Sequence, residues 1–413
     1  MQEIIPVVVA FDNNYCIPAG VSLFSMLANA KRERERVKLF YQIHCLVENL
    51  SAENIAKLEE TIAPFSAFSS IEFLDISNEK LEPRHNYCKL DPLIASEIKK
   101  LYLKLNAFSQ KRFSKMIMCR LFLASLFPQY DKMIMFDVDT LFVDDMSESF
   151  FIPLEAHYFG AVREKDLIAM NRNSAKDLYE LRQMRAKTIG VADAFPNLEE
   201  AQILFDNYFN AGFLALNLKL WREENLENQL IAFFIVKNEK LLFSDQDALC
   251  FVCRGRILEL PYSYNAHPSF LDTPLFPSFK EVCMLHFWGD KPWKLLSVIG
   301  AKKWHEILIQ TPFKDAYFNA PFLDHLFESF QNKDNEIKRR DERIIEEVQA
   351  VQARDKEIQN RDKEIHALNK ILSFSDKRHS FEFLLPRLSS KLLIEFLLFK
   401  AKQKVKRLIK RVF

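Results

Sequence analysis

The sequence predicts an α/β fold: a mixed sheet with helices on both faces, followed by a helical C-terminal extension. Three observations predict it. Apolar, β-branched runs of strand length alternate with helix-like stretches between residues 4 and 76. A wholly apolar run, Met133–Phe136, ends in Asp137-Val138-Asp139, as a strand buried on both faces ends in a ligand-edge loop. Beyond about residue 331 the character changes to a charged stretch in which a thin set of apolar residues recurs every seven positions.

Ile4–Phe11 reads as a central strand, DNNY at 12–15 as a turn, and 20–30 as a helix. Val37–Val47 reads as the second strand, 51–62 as a helix capped by Ser51, and Ile71–Ile76 as the third strand. This opening implies parallel pairing with right-handed crossovers. Residues 80–115 read as charged and helical, and Ser114–Phe127 as a helix leading into the D-x-D strand. Phe159–Val162 is a short strand, and 164–200 reads as a loop and helices on the ligand edge. Phe209–Leu218 alternates apolar residues, and 224–240 is a helix. SDQDALCFV at 244–252 reads as a helix with Ser244 as N-cap and Asp247 at its third position. Strands near 257–260 and 282–286 follow, and Trp288 and Trp293 read as core.

The 413 residues suggest one large domain plus extras, or two domains, and 49% apolar content supplies a core. A net charge of +1 argues against a general polyanion or nucleic-acid binder. Cys250 and Cys253 form a C-x-x-C with no second pair at zinc spacing, so they read as buried thiols in a helix. Scattered cysteines suit a reducing compartment. The start, MQEIIPVVVAF, lacks a basic n-region and reads as a strand rather than a signal peptide.

Ile337, Ile344, Val351, Ile358, Ile365 and Leu372 recur every seven residues. The positions three residues on include Arg340, Glu347, Arg354 and Arg361, where a coiled coil wants apolar residues. The segment reads as a charged helix, either a solvated spacer or a marginal self-association helix. In the tail, Val405, Leu408, Ile409 and Val412 share a helical face against Lys402, Lys404, Lys406, Arg407, Lys410 and Arg411. That pattern suits an anionic membrane surface better than nucleic acid. The expected organisation is therefore 1–300 as a catalytic domain, 301–330 as a helical connection, 331–372 as a heptad helix and 373–413 as a membrane-associating tail. The expected location is cytoplasmic, peripheral on the inner face of the membrane.

Two carboxylates on one tight turn can hold Mg²⁺ or Mn²⁺, and through it a diphosphate. Alone, the pair is also an ordinary polar turn. Read with AFDNNY at 10–15, CRLFL at 119–123, FNAG at 209–212, SDQDAL at 244–249 and HFWGDKPW at 286–293, it is part of an ordered set. That set resembles the family 8 retaining glycosyltransferases over roughly residues 1–300.

The resemblance implies an A-type glycosyltransferase fold with a Rossmann-like sheet, a UDP-sugar donor, a glycan or glycolipid acceptor, and Mn²⁺ (or Mg²⁺). By resemblance, Ala10, Asp12 and Asn14 hold the uracil and ribose. Asp137, Asp139 and His286 bind the metal, and Gly289 and Lys291 grip the diphosphate. Arg120 lies near the donor, while Asn210, Ala211 and Gly212 line the sugar. Asp245 and Gln246 stand beside the reacting carbon. Only Asp290 separates Gly289 from Lys291, one residue fewer than in many members. The implied activity is transfer of galactose or glucose with retention, onto an acceptor of the lipopolysaccharide-core kind. Either Asp245 acts as nucleophile or substitution occurs on the front face.

Two other readings compete. A metal-dependent phosphohydrolase favours D-x-D-x-T, but here Thr140 is three residues after Asp137 and Leu141 is fourth. A non-catalytic, membrane-tethered scaffold would use the heptad helix and leave the donor motifs without a purpose.

Overall fold

The computed structural model describes residues 2–77, 86–164, 174–191, 194–271, 279–318 and 321–374. The chain divides into two compact units, Met1–Gln331 and Asn332–Phe413. The strands are β1 Gln2–Asp12, β2 Glu33–Arg34, β3 Val37–Glu48, β4 Ser69–Asp75, β5 Tyr87–Lys89, β6 Lys132–Phe136, β7 Thr140–Phe142, β8 Phe159–Arg163, β9 Phe209–Asn217, β10 Ile257–Leu260 and β11 Met284–His286. A nine-stranded sheet runs β10-β8-β9-β6-β1-β3-β4-β5, with β2 beside β3, and β7 pairs separately with β11.

The apolar runs form the centre of this sheet because both faces are covered. Val7 and Val9 of β1 enter one core and Val8 the other. In β6, Ile134 and Phe136 face the first core, and Met133 and Met135 face the second. The period-2 alternation thus buries every residue of the run rather than separating apolar from polar.

Strand direction places the functional residues. β1 is parallel to β3 and β6, while β9 is antiparallel to both β6 and β8. The carboxyl ends of β1, β6 and β8 and the amino end of β9 therefore share one edge. Asp12, the D-x-D, residue 164 and Asn210 all lie there.

Several expectations are corrected. Ser114–Phe127 is a 3₁₀ helix, Lys115–Phe122, followed by the short helix Leu123–Leu126. Three residues per turn set Ser114, Ile117 and Arg120 on one side, and all three line the cavity described below. Ser244 does not cap its helix: Phe243 holds that position, and the Ser244 hydroxyl is buried without a hydrogen-bond partner among the described residues. Asp247 holds the first turn instead, accepting from the amides of Leu242 at 3.2 Å and Phe243 at 3.1 Å. Within 80–115 the chain forms β5 and the helices Pro92–Leu103 and Ala107–Arg112, capped by Asp91 and Asn106. The expected helix at 20–30 begins earlier, at Cys16. Residues 224–240 contain the helix Leu226–Lys237 and a 3₁₀ turn.

Ser51 does cap its helix, accepting from the Asn54 amide at 3.1 Å. Cys250 and Cys253 are buried at the helix Ser244–Val252, and Cys250 exchanges bonds with the Phe209 backbone. Within the second unit, Ile337, Ile344, Val351, Ile358 and Ile365 are exposed along the helix Pro321–Phe374. The tail from residue 375 onward lies outside the described residues. Among the described residues no helix is long and apolar enough to cross a membrane.

Arg182 and Asp247 form an ion pair with side chains only 4% and 0% exposed. Asp247→Ala strands the guanidinium in the core and should destabilise the fold by about 3–5 kcal/mol, read as a lowered denaturation midpoint.

Candidate active site

A cavity of about 690 Å³ opens at the shared strand edge. Its floor is the D-x-D turn. The Asp137 amide donates to the Gly212 carbonyl at 3.0 Å, and the Thr140 hydroxyl donates to the Asp137 carbonyl at 2.8 Å. The turn is thus pinned to β9 before any ligand arrives.

His286 ends β11 and is 3% exposed. Its Nε2 lies 3.2 Å from Asp139 and 3.6 Å from Asp137. Ligand atoms of the three residues all fall within 4.8 Å of one another. Asn265 orients the ring. Its Nδ2 donates to Asn210 Oδ1 at 2.7 Å, so its own Oδ1 faces His286 Nδ1 at 2.9 Å. That acceptor assigns the proton to Nδ1 and leaves the Nε2 lone pair toward the aspartates. Two carboxylates and an oriented imidazole fit Mn²⁺ or a similar divalent ion.

The ring fits because residue 212 is glycine. A Cβ there would stand 2.1 Å from His286 Cε1 and 2.3 Å from Nδ1. The Gly212 amide also donates to Asn210 Oδ1 at 2.9 Å.

Two cations balance the acids. Arg120 is 7% exposed and bridges Asp137 and Asp245. Lys291 donates to Asp139 at 2.5 Å and to the Phe287 carbonyl at 2.6 Å, so the shortened loop does bring it into the site. Gly289 reaches the cavity with φ of 115°, a conformation that suits glycine. Burial pushes the Asp137 carboxyl up, further than Arg120 and His286 pull it down. Burial acts on Asp139 too, but His286 and Lys291 outweigh it and hold that carboxyl well below the usual range.

Of the expected site residues, Ala10, Asp12, Arg120, Asp137, Asp139, Asn210, Ala211, Gly212, Asp245, Gln246, His286, Gly289 and Lys291 line this cavity. Asn14 does not. It is exposed, and its amide donates to Asp12 Oδ1 at 2.9 Å, closing the turn that presents Asp12. Gln246 is held at both ends: its Oε1 accepts from the Ala211 amide at 3.0 Å and its Nε2 donates to Glu164 at 2.8 Å. Trp288 is not core. It lines the cavity edge-on to His286, with ring centroids 4.9 Å apart, whereas Trp293 is buried.

Glu164 was not anticipated. It follows β8 as Asp137 follows β6, and burial pushes its carboxyl up despite bonds from Gln246 and Asn210. The same reading, an acid directly after an apolar strand, would have found it. Tyr15 and Arg112 also line the cavity. Tyr15 ends the AFDNNY motif, whereas nothing in the local sequence marks Arg112 or Asn265.

A family profile, glycosyl transferase family 8, matches residues 6–296. The chain belongs to glycosyl transferase family 8. Among curated relatives, a putative glycosyltransferase of Haemophilus influenzae is 27% identical over 49% of this chain and 59% of its own length. General stress protein A of Bacillus subtilis is 23% identical over 77% of this chain and 93% of its own. A lipopolysaccharide 1,2-glucosyltransferase of Escherichia coli is 27% identical over 27% of this chain and 36% of its own. Among solved structures, the bifunctional glycosyltransferase WbbM in its apo form superposes with a TM-score of 0.53 at 22% identity, over 77% of this chain and 52% of that one. The galactosyltransferase LgtC, solved with donor and acceptor sugar analogues, gives 0.52 at 18% identity, over 75% of this chain and 96% of that one. The chain therefore spans little more than half the length of the first relative and of the first structure. The family 8 chain has the A-type glycosyltransferase fold, with a helical C-terminal segment.

Gly212→Ala should push His286 off the aspartates and weaken Mn²⁺ binding by about 10–100-fold, as losses of a ligand's support do. Mn²⁺ titration followed by electron paramagnetic resonance reads this without any turnover. Unchanged affinity would mean that His286 is no ligand.

Proposed function

We propose that the chain is a metal-dependent retaining hexosyltransferase. It moves galactose or glucose from a UDP-sugar to a glycan acceptor of the lipopolysaccharide or lipooligosaccharide-core kind. The observation that carries this is the trio Asp137, Asp139 and His286, within 4.8 Å of one another, in the cavity that also holds Asp12 and Lys291. A lipopolysaccharide glucosyltransferase among the relatives and a galactosyltransferase among the neighbours support the hexose and the acceptor class.

On this reading, the metal supplies Lewis-acid neutralisation of the charge that builds on the departing diphosphate. The protein's groups do the rest. Asp12 accepts from the uracil or ribose at the end of β1. Lys291 exchanges its bond with Asp139 for the diphosphate, as a point-charge phosphate binder. Arg120 holds Asp137 and Asp245 in fixed geometry. Gln246, bound at both amide ends, is a positioning residue that sets Ala211 and Glu164 against the sugar.

The transition state is oxocarbenium-like. Two carboxylates of the cavity stand near it, Asp245 and Glu164. A glycosyl adduct trapped on either would establish the two-step route. A front-face substitution, in which the leaving phosphate takes the acceptor's proton, leaves both unmodified.

UDP release from a panel of UDP-sugars, with Mn²⁺ and with chelator, tests the reading. One UDP-sugar should turn over only with metal. Asp139→Asn should cost on the order of a hundredfold or more, since the metal's contribution is several kcal/mol. Retained UDP binding with no turnover of any donor would instead favour the scaffold.

We further propose that residues 1–300 are the catalytic domain and that the tail holds it at the inner membrane surface, with the heptad helix between them as spacer or self-association element. Each basic residue near an anionic surface adds about 1 kcal/mol. Deleting 376–413 should release the protein from anionic vesicles in a flotation assay while UDP-sugar hydrolysis continues. Undiminished flotation would sink the anchor.

A further inference from the structure

Two arginines that stack on Phe243, a residue of the cavity wall, have no use in the donor chemistry above; Arg112 itself lines the cavity, and Arg185 reaches it only through that ring. Arg112 ends the helix Ala107–Arg112 and lines the cavity together with Phe243. Arg185 lies on the helix Ala175–Ile189. Their guanidinium carbons stand 5.6 Å and 5.0 Å from the centre of the Phe243 ring. Phe243 directly precedes Ser244-Asp245-Gln246, so the ring adjoins the reacting end of the site.

A third guanidinium, Arg182, also faces this ring at 5.5 Å, but Asp247 neutralises it. Among the described residues neither Arg112 nor Arg185 has a carboxylate partner. Three acids of the cavity are already paired with other cations, Asp137 and Asp245 with Arg120 and Asp139 with Lys291, while Glu164 accepts from Asn210 and Gln246, and Asp12 from the Asn14 amide. Partial burial, and then the neighbouring Arg185 charge, lower the Arg112 pKa. Stacking on an aromatic ring pre-orients a guanidinium for bidentate contact with a phosphate or carboxylate. Two unpaired guanidiniums on one ring are therefore arranged to receive an anion.

The donor's diphosphate is one source of such an anion, but it already has Lys291 and the metal trio. Arg185 belongs to 164–200, a stretch that carries no donor motif. We propose that Arg112 and Arg185 form a clamp for an anionic acceptor, one bearing a phosphate ester or carboxylate near its reacting hydroxyl. This rests on the transferase reading and names the chemical class of its acceptor.

The test uses the full chain saturated with UDP and Mn²⁺, with glucose 6-phosphate and glucose as probes, by calorimetric or NMR titration. Charged hydrogen bonds to the phosphate should make glucose 6-phosphate bind about tenfold or more tighter than glucose. Raised salt should shrink the preference. The double variant Arg112→Gln/Arg185→Gln should abolish it. Equal binding of the two probes by wild type overturns the proposal without needing a folded variant. A preference that survives in the double variant also overturns it. So does a variant that loses UDP affinity while keeping the preference, because the pair would then grip the donor. UDP-sugar turnover by wild type is scored separately. Its absence alongside an intact phosphate preference would sink the transferase reading and leave the anion clamp standing.

Discussion

His286 reaches the two aspartates only because no side chain stands at residue 212. The imidazole occupies the space a Cβ would need, 2.1 Å from its Cε1. The backbone of the same residue makes two further contacts. The Gly212 carbonyl fixes the Asp137 amide, and the Gly212 amide fixes Asn210. Asn210 orients Asn265, which sets the imidazole tautomer. One backbone position therefore couples the D-x-D turn of β6 to the histidine of β11, a strand of the separate two-stranded sheet.

The electrostatics follow from crowding. Asp12, Asp137, Asp139, Glu164 and Asp245 all line one cavity. Arg120 and Lys291 offset part of that charge, but unequally. Asp139 receives both His286 and Lys291 and is held ionised, while the Asp137 carboxyl is raised by burial. A divalent ion between them would favour ionisation of both. The cavity is thus built for added positive charge, and one of its cations, Lys291 on a flexible stem, can be handed to a phosphate.

Much of the fold and part of the site were legible in the sequence. Strands buried on both faces announce themselves by unbroken apolar runs, and β1 and β6 were read on that ground. The D-x-D was visible because two acids interrupt such a run. The Arg120 segment was misread because amphipathic spacing over eight residues does not separate a 3₁₀ from an α-helix. The local pattern marks Ser244 as a cap, but the carboxylate of Asp247, one turn on, reaches back instead to the amides of Leu242 and Phe243 and fixes the start of the helix. Asn265 was invisible. Its role arises from contacts 55 residues away to Asn210 and 21 to His286, which no local pattern encodes.

The mixed sheet is what lets so short a set of motifs converge. In an all-parallel sheet every strand delivers only its carboxyl end to the ligand edge. Here β9 runs against β6 and β8, so it delivers its amino end, Phe209-Asn210-Ala211-Gly212. A glycine is tolerable at such an end, where a strand's loss of packing matters least and a close backbone approach is useful. The reversal also sets Ala211 beside Gln246 and Asn210 beside Glu164, joining β8, β9 and the helix Ser244–Val252 at one point. Asp12, Asp137 and Glu164 come from strands that end at the edge, and the strand that begins there holds two of them, Asp137 through the Gly212 carbonyl and Glu164 through the Asn210 side chain.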